Sequence, residues 1–329
     1  MATSNYITKV TIVGAGGNSG RFMTAALLKT GKHTVTALTR PDSQSELPEC
    51  VIVKRVDYGN PETLVDALRG QDALVITLSG YTPAETQMQL ISAAGEAGVG
   101  WILPNEWSPD TANEALVRDV SVFKPKGETR RAITDLGKSS YIGISTGFWY
   151  EWSLAIPAAF GIDFAKRTAT FFDEGETRIS ISTWPQVGRA VAALLSLPIA
   201  PPGDSEGTSS SNAACLENFR NQLVYVKSFT VTQREMLASA MRVTGTKESD
   251  WTITKEPAQE RYTTSLSEIK EGKRVGFAKM MYTRVFFADG VGDFEDGRDT
   301  MNGVLGLPEE DLDEATERAF ERSKGPSWV

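Results

Sequence analysis

The chain has 329 residues, 40% of them hydrophobic and 23% charged, with a formal net charge of −8. That length buries a core in one large or two modest domains, and the acidic balance excludes the basic stripe that a phosphate-backbone binder needs. No apolar run approaches the roughly 18 residues of a membrane span, and MATSNYITKV lacks the charged and apolar stretches of a secretory signal.

Through residue 150, short apolar runs alternate with helical patterns, the signature of βαβ units and a parallel sheet. Lys9–Gly14 (KVTIVG) reads as a buried strand. Arg21–Thr30 reads as a helix with Met23, Ala26 and Leu27 on one face, stopped by Gly31. Thr34–Thr39 and Val51–Arg55 are further strands, and Asn60-Pro61 opens a helix through Arg69 with Asn as its cap. Ala73–Leu78 follows as a strand, Pro83–Ala97 as a helix and Trp101–Leu103 as a short strand. Val120–Leu136 is predicted helical, broken or started near Pro125, and Ser140–Ser145 (SYIGIS) extended. Six strands with intervening helices predict an α/β fold with a doubly wound parallel sheet, not a barrel.

After Gly147 the rhythm changes. Thr168–Phe172 and Thr177–Ser182 flank Asp173-Glu174-Gly175-Glu176 and read as a hairpin. Pro185–Leu197 is a helix, Leu223–Ser228 a strand, and Thr232–Thr244 a helix ended by Gly245. Residues 201–213 have loop composition. A last helix after Pro308 sets Leu312, Ala315, Thr316, Ala319 and Phe320 on one stripe. The expected organisation is a dinucleotide-binding domain over 1–150, with segments near 183–198 and 220–230 returning to it. Residues 151–329 would mainly form a smaller α+β substrate domain.

Scarcity narrows the chemistry. The single histidine, His33, leaves no basis for a histidine metal cluster or a Ser-His-Asp triad. Cys50 and Cys215 are far apart, with no CxxC, and read as reduced, buried thiols of a cytoplasmic protein.

The sharpest signal is Gly14-Ala15-Gly16-Gly17-Asn18-Ser19-Gly20, directly after a strand and directly before a helix. Glycines there allow a tight turn and close approach to a pyrophosphate, whose charge meets free N–H groups at the helix start. In the first βα unit of a continuing βα series, dinucleotide binding outweighs a plain turn. A site for NAD would place Asp or Glu about 20 residues further on. The second strand ends instead in Thr39-Arg40-Pro41, and an arginine pairs bidentately with a 2′-phosphate. This favours NADP(H), with Asp42 a mild counter-signal.

A conventional short-chain dehydrogenase uses Tyr with Lys four residues on, and none of the eight tyrosines has that partner. The helix VSVFKPKGETRRAITDL offers Lys126, with Arg130 one turn beyond and Lys124 as competitor. Beside a nicotinamide in an apolar pocket a lysine has a lowered pKa and transfers protons; the plainer account is two solvated helix lysines.

Over roughly Val10–Gly245 the chain resembles the NmrA-like branch of the atypical short-chain dehydrogenases, and within it the isoflavone reductase-like and phenylcoumaran benzylic ether reductase-like proteins. Gly14, Gly17 and Gly20 are similar to that family's GxxGxxG loop, and Arg40 to its NADPH-selecting arginine. AGEAGVGWILPNEW resembles its Ala-Gly-Val strand followed by Pro-Ser-Glu-Phe, with Asn105 where Ser is usual and Trp107 where Phe is usual. KGETRRAI resembles its Lys-x-x-x-Arg-Arg-x-Ile helix, which implies that Lys126, not Lys124, takes the catalytic role. Tyr141–Trp149 (YIGISTGFW) resembles the segment beside the nicotinamide, whereas Trp184-Pro185-Gln186-Val187-Gly188 stands where the family commonly has an acidic residue before Ile-Gly. The C-terminal third diverges most.

The resulting expectation is a Rossmann-type NADPH-dependent reductase acting on an aromatic or polyketide-like small molecule, as a monomer or homodimer, without metal, nucleic acid or membrane. Gly14, Gly16, Gly17, Asn18, Ser19, Gly20 and Arg40 would hold the nucleotide phosphates. Leu78, Ser79 and Gly80 would skirt the cofactor at a strand's carboxyl end, and Pro104, Asn105, Gly147 and Phe148 would wall the nicotinamide. Lys126 would act as acid/base or oxyanion stabiliser. Phe148, Trp149 and Trp152, with Tyr81 and Trp107, would form an aromatic slot, core packing being the alternative for each. Two other functions stay open: an NADP-sensing regulatory protein without turnover, and a redox-neutral isomerase or dehydratase.

Overall fold

Apolar strands alternating with amphipathic helices assemble one parallel sheet from the first half of the chain. The computed structural model describes residues 4–80, 82–201 and 214–325. β1 (Lys9–Val13), α1 (Gly20–Lys29), β2 (Thr34–Thr39), β3 (Ile52–Arg55), α2 (Pro61–Leu68), β4 (Ala73–Ile76), α3 (Ala84–Ala97) and β5 (Trp101–Leu103) follow in order. Asn60 caps α2 through the Glu62 N–H, and Gly98 ends α3 in a left-handed conformation. The helix expected over 120–136 starts near Pro125 as anticipated: a 3-10 turn (Ser121–Phe123) leads into α5 (Lys124–Asp135), and a separate short helix, α4 (Glu114–Asp119), precedes them. Pro125 lacks the N–H needed to continue a helix and is accommodated in the first turn of α5.

β6 (Ser140–Ser145) precedes β7 (Phe148–Trp149), α6 (Tyr150–Ser153), α7 (Pro157–Phe160), β8 (Ile162–Asp163), β9 (Thr168–Phe172) and β10 (Ile179–Ser182). Then come α8 (Trp184–Leu195), β11 (Gln222–Tyr225), β12 (Phe229–Val231), α9 (Gln233–Thr244), β13 (Thr252–Glu256), α10 (Ala258–Lys270), α11 (Arg274–Thr283) and α12 (Leu312–Ser323). The main sheet runs β11-β6-β5-β4-β1-β2-β3 with every pair parallel. Its strand order reverses between β1 and β4, which opens a crevice at their carboxyl ends.

On one face Met23 and Leu27 of α1 meet Val187, Val191 and Leu194 of α8 over Val10, Ile12 and Val35. On the other, Leu64 and Leu68 of α2, Leu90 of α3 and Ile133 of α5 cover Val13, Leu74, Ile76 and Ile102. Truncating any one of these leucines to alanine costs about 2–5 kcal/mol. A third core, rich in aromatic rings, belongs to the C-terminal region, where Phe160, Phe172, Tyr282 and Phe286 pack edge to face.

The expected hairpin over 168–182 is absent. β9 lies between β8 and β13, whereas β10 lies between β7 and β12. Asp173 explains the divergence: its N–H donates to the Glu256 carbonyl (2.9 Å), and its carboxylate accepts from the Ala258 N–H (3.0 Å). The residue that would turn a hairpin instead extends the β13 ladder and holds the start of α10. Cys215 is buried but Cys50, expected buried, is exposed; it precedes β3, an edge strand whose Ile52 and Val53 are also exposed. The expected 201–213 loop lies outside the described residues apart from Pro201. Among the described residues there is no group of three or more His, Cys, Asp or Glu able to hold a metal ion, and no helix long and apolar enough to cross a membrane.

Candidate functional site

Two cavities meet at the carboxyl ends of β1 and β4. The first, of about 550 Å³, is floored by Gly14, Gly16 and Gly17 and flanked by Arg40, Tyr58 and Ser79. Glycine is a steric necessity at two of the loop positions. A Cβ on Gly14 (φ +79°) would stand 2.2 Å from the Thr77 carbonyl oxygen, and one on Gly20 2.0 Å from that of Gly14. The loop closes by a Gly17 N–H to Gly14 carbonyl bond of 2.9 Å. Ser19 gives α1 no side-chain cap and its first turn has no acidic residue. The N–H groups of Asn18, Ser19 and Gly20 have no acceptor among the described residues. Unsatisfied donors at the positive end of a helix fit a diphosphate.

Arg40 stands at the rim of this cavity with its side chain 70% exposed; Asp42 is 3.7 Å away, a weak surface pair. Arg55 holds the segment beneath it, donating to the Pro41 carbonyl at 2.6 Å. Tyr58, which the sequence did not single out, has its phenol pKa raised by burial and pulled back by the Arg40 charge. The position of Arg40 leaves its guanidinium available to a phosphate carried on a ribose bound below.

The second cavity, about 720 Å³, shares Gly17, Thr77, Leu78 and Ser79 with the first and also takes in Asn18, Ser19 and Gly80. Its far walls are Trp149, Trp152 and Trp184, with Phe277, Met281 and Tyr282 of α11 opposite. Trp184 was missed as a lining residue. Its signal was present: an aromatic at a strand-to-helix junction, capped by Thr183. Phe148 and Trp107 are not in this wall. Phe148 is 8% exposed and packs on the Tyr282 ring at 4.2 Å, while Trp107 donates its indole N–H to the Ile76 carbonyl at 2.8 Å. Gly147 (φ +65°) crosses β10 so closely that a Cβ would meet the Ser180 carbonyl oxygen at 1.9 Å. Tyr81 lies outside the described residues.

Pro104 and Asn105 line neither cavity, and Asn105 supports them through Leu78. The Asn105 carboxamide accepts the Leu78 N–H (3.3 Å) and donates to the Leu78 carbonyl (3.2 Å), while its own N–H donates to Gln87 (2.9 Å).

Lys126 donates to the carbonyl oxygens of Asn105 (2.7 Å) and Glu106 (3.1 Å). An ammonium has three donors, so one remains. Desolvation by burial lowers its pKa, the Glu106 carboxylate opposes that shift, and the Arg130 charge adds to it. Lys126, expected beside the nicotinamide, is not among the residues lining either cavity; Val122, one turn earlier in the turn leading into α5, lines the tryptophan-walled one. Lys124 is exposed. Arg130 reaches the buried Glu106 at 2.8 Å and the Thr111 hydroxyl at 2.7 Å, and that hydroxyl donates to the same Glu106 oxygen. An unpaired carboxylate there would cost several kcal/mol, so this trio fixes the segment whose carbonyls hold Lys126.

A family model described as the NmrA-like family matches residues 7–156. The oxidoreductase aprR of Aspergillus flavus is 30% identical over 311 residues, 93% of this chain and 96% of its own. Two solved structures share the fold: one titled AtPrR2 with NADP+ and (+)pinoresinol (TM-score 0.73, 18% identity), and an isoflavone reductase (TM-score 0.71, 21% identity). Each covers 96% of this chain and 99% of the neighbour.

Proposed function

The chain belongs to the NmrA-like family, and from that premise we propose that it is an NADPH-dependent reductase of an aromatic or polyketide-like small molecule. The observation that carries this reading is the continuity of the two cavities: a glycine-floored groove suited to a dinucleotide opens, past Leu78 and Ser79, into an apolar cleft walled by tryptophans. The names of its relatives support it, aprR being an oxidoreductase and AtPrR2 having been solved with NADP+ and (+)pinoresinol.

In this reading the amides of residues 18–20 bind the diphosphate and Arg40 the 2′-phosphate. The reduced nicotinamide, when bound, supplies a hydride. Trp149, Trp152 and Trp184 exclude water and orient a flat substrate by stacking. Lys126 uses two N–H groups to stay at the end of β5 and presents the third to a substrate oxygen, donating a proton or stabilising negative charge as it develops. Its lowered pKa makes it a readier proton donor than a free lysine.

Steady NADPH consumption with a panel of aromatic carbonyl and benzylic ether compounds tests the proposal. Tight nucleotide binding without turnover across that panel would replace it with nucleotide sensing.

A further inference from the structure

The wall that α11 gives to the tryptophan cleft carries a charge with no local purpose. Arg274 is the one charged side chain among the described residues lining the cleft; no Asp or Glu lines it. It forms no ion pair or hydrogen bond with any described residue. Neighbouring cations are neutralised: Lys273 pairs with Glu271 (2.7 Å) and Lys279 with Glu268 (2.8 Å). The fold gains nothing locally from the charge, because an arginine in a helix's first turn opposes the helix dipole. What remains is its position beside Phe277, Met281 and the tryptophans, at the edge of a surface built for a flat apolar body.

Resting on the reductase reading above, we infer that the substrate is an aromatic carboxylate, its ring system held between Trp149, Trp152 and Trp184 and its carboxylate paired with Arg274. A guanidinium offers two parallel N–H donors that match the two carboxylate oxygens, and Arg274, exposed at the rim of the cleft, can meet a carboxylate without itself being buried. Neutral substrates would leave the cation unused. Because Asn18 and Ser19 line the same cleft, the competing assignment for Arg274 is the nucleotide's own phosphate.

Calorimetry on the full-length protein saturated with NADP+ separates these, with naphthalene-2-carboxylate and its methyl ester as probes. The carboxylate should bind the wild type about tenfold tighter than the ester. Arg274→Gln should bring the two within about twofold of each other, and Arg274→Lys should restore part of the preference, with ester and NADP+ affinities unchanged in both. Equal binding of the two probes by the wild type, binding of neither, or a preference that survives Arg274→Gln would overturn the inference. So would a loss of NADP+ affinity in Arg274→Gln as large as the loss for the carboxylate, which would assign the arginine to the nucleotide. Absence of NADP+ binding by the wild type would instead overturn the reductase reading.

Discussion

Asn105 grips Leu78 with both ends of its carboxamide, one accepting from the Leu78 N–H and the other donating to the Leu78 carbonyl. The turn it holds lines both cavities. Asn105→Ala strips two partly buried backbone groups of their partners, at a cost of about 1–3 kcal/mol in urea unfolding. Calorimetric titration should also find NADPH affinity several-fold weaker. Unchanged stability and affinity would mean that water replaces the side chain without penalty.

In the proposed mechanism Lys126 sets the pH dependence. Its active form is the cation, and burial moves its pKa below that of a free lysine. The cation is therefore lost as pH rises through that depressed value, and kcat/KM falls on an alkaline limb beginning below about 10.4. Lys126→Ala should lose about 10²–10⁴-fold in turnover while NADPH affinity holds within a few-fold. Full activity in that variant would remove Lys126 from the chemistry.

Arg40→Glu should weaken NADPH far more than NADH, because only the former presents a phosphate at that rim. Fluorescence titration of both coenzymes supplies the comparison, and an equal loss for the two would show that Arg40 does not read the phosphate.

His33 is buried between the Ile7 carbonyl (3.1 Å) and the Ser196 hydroxyl (3.0 Å). Burial lowers its pKa from 6.5, a shift that the Ile7 bond resists and Lys32 reinforces. The unfolded chain then takes up a proton that the native protein refuses, so stability present above about pH 6.5 is lost as pH falls towards the depressed native value. Urea midpoints measured between pH 7 and 5 should decline, and the decline should flatten in His33→Gln. Parallel slopes would place the titrating group elsewhere.

Much of the glycine-floored groove was legible because its determinants are local. The Gly14–Gly20 loop, the uncapped start of α1 and Arg40 at the end of β2 each follow from spacing along a single βα step. The sheet was legible for the same reason, since period and turn residues act within a few positions. The tryptophan cleft was legible only in part: Trp149 and Trp152, expected in an aromatic slot, line it, whereas Trp184 of α8 and the α11 wall join them only through tertiary packing. Phe148 and Trp149 are adjacent in sequence, yet alternation along β7 sends one ring onto Tyr282 and leaves the other lining the cleft. The false hairpin had a local signal too, but β8 and β13 occupy both edges of β9, a competition that no short window of sequence contains.

The seventh strand of the main sheet has a consequence for biosynthesis. β11 completes the margin beside β6, and α8 supplies the apolar cover for α1, yet both are translated after most of the layer they finish. A nascent chain halted near residue 150 would display a naked strand edge and an uncovered helix, so its glycine-floored groove would be on offer before its scaffold was sealed. The main sheet is complete only once Tyr225, the last residue of β11, has been delivered.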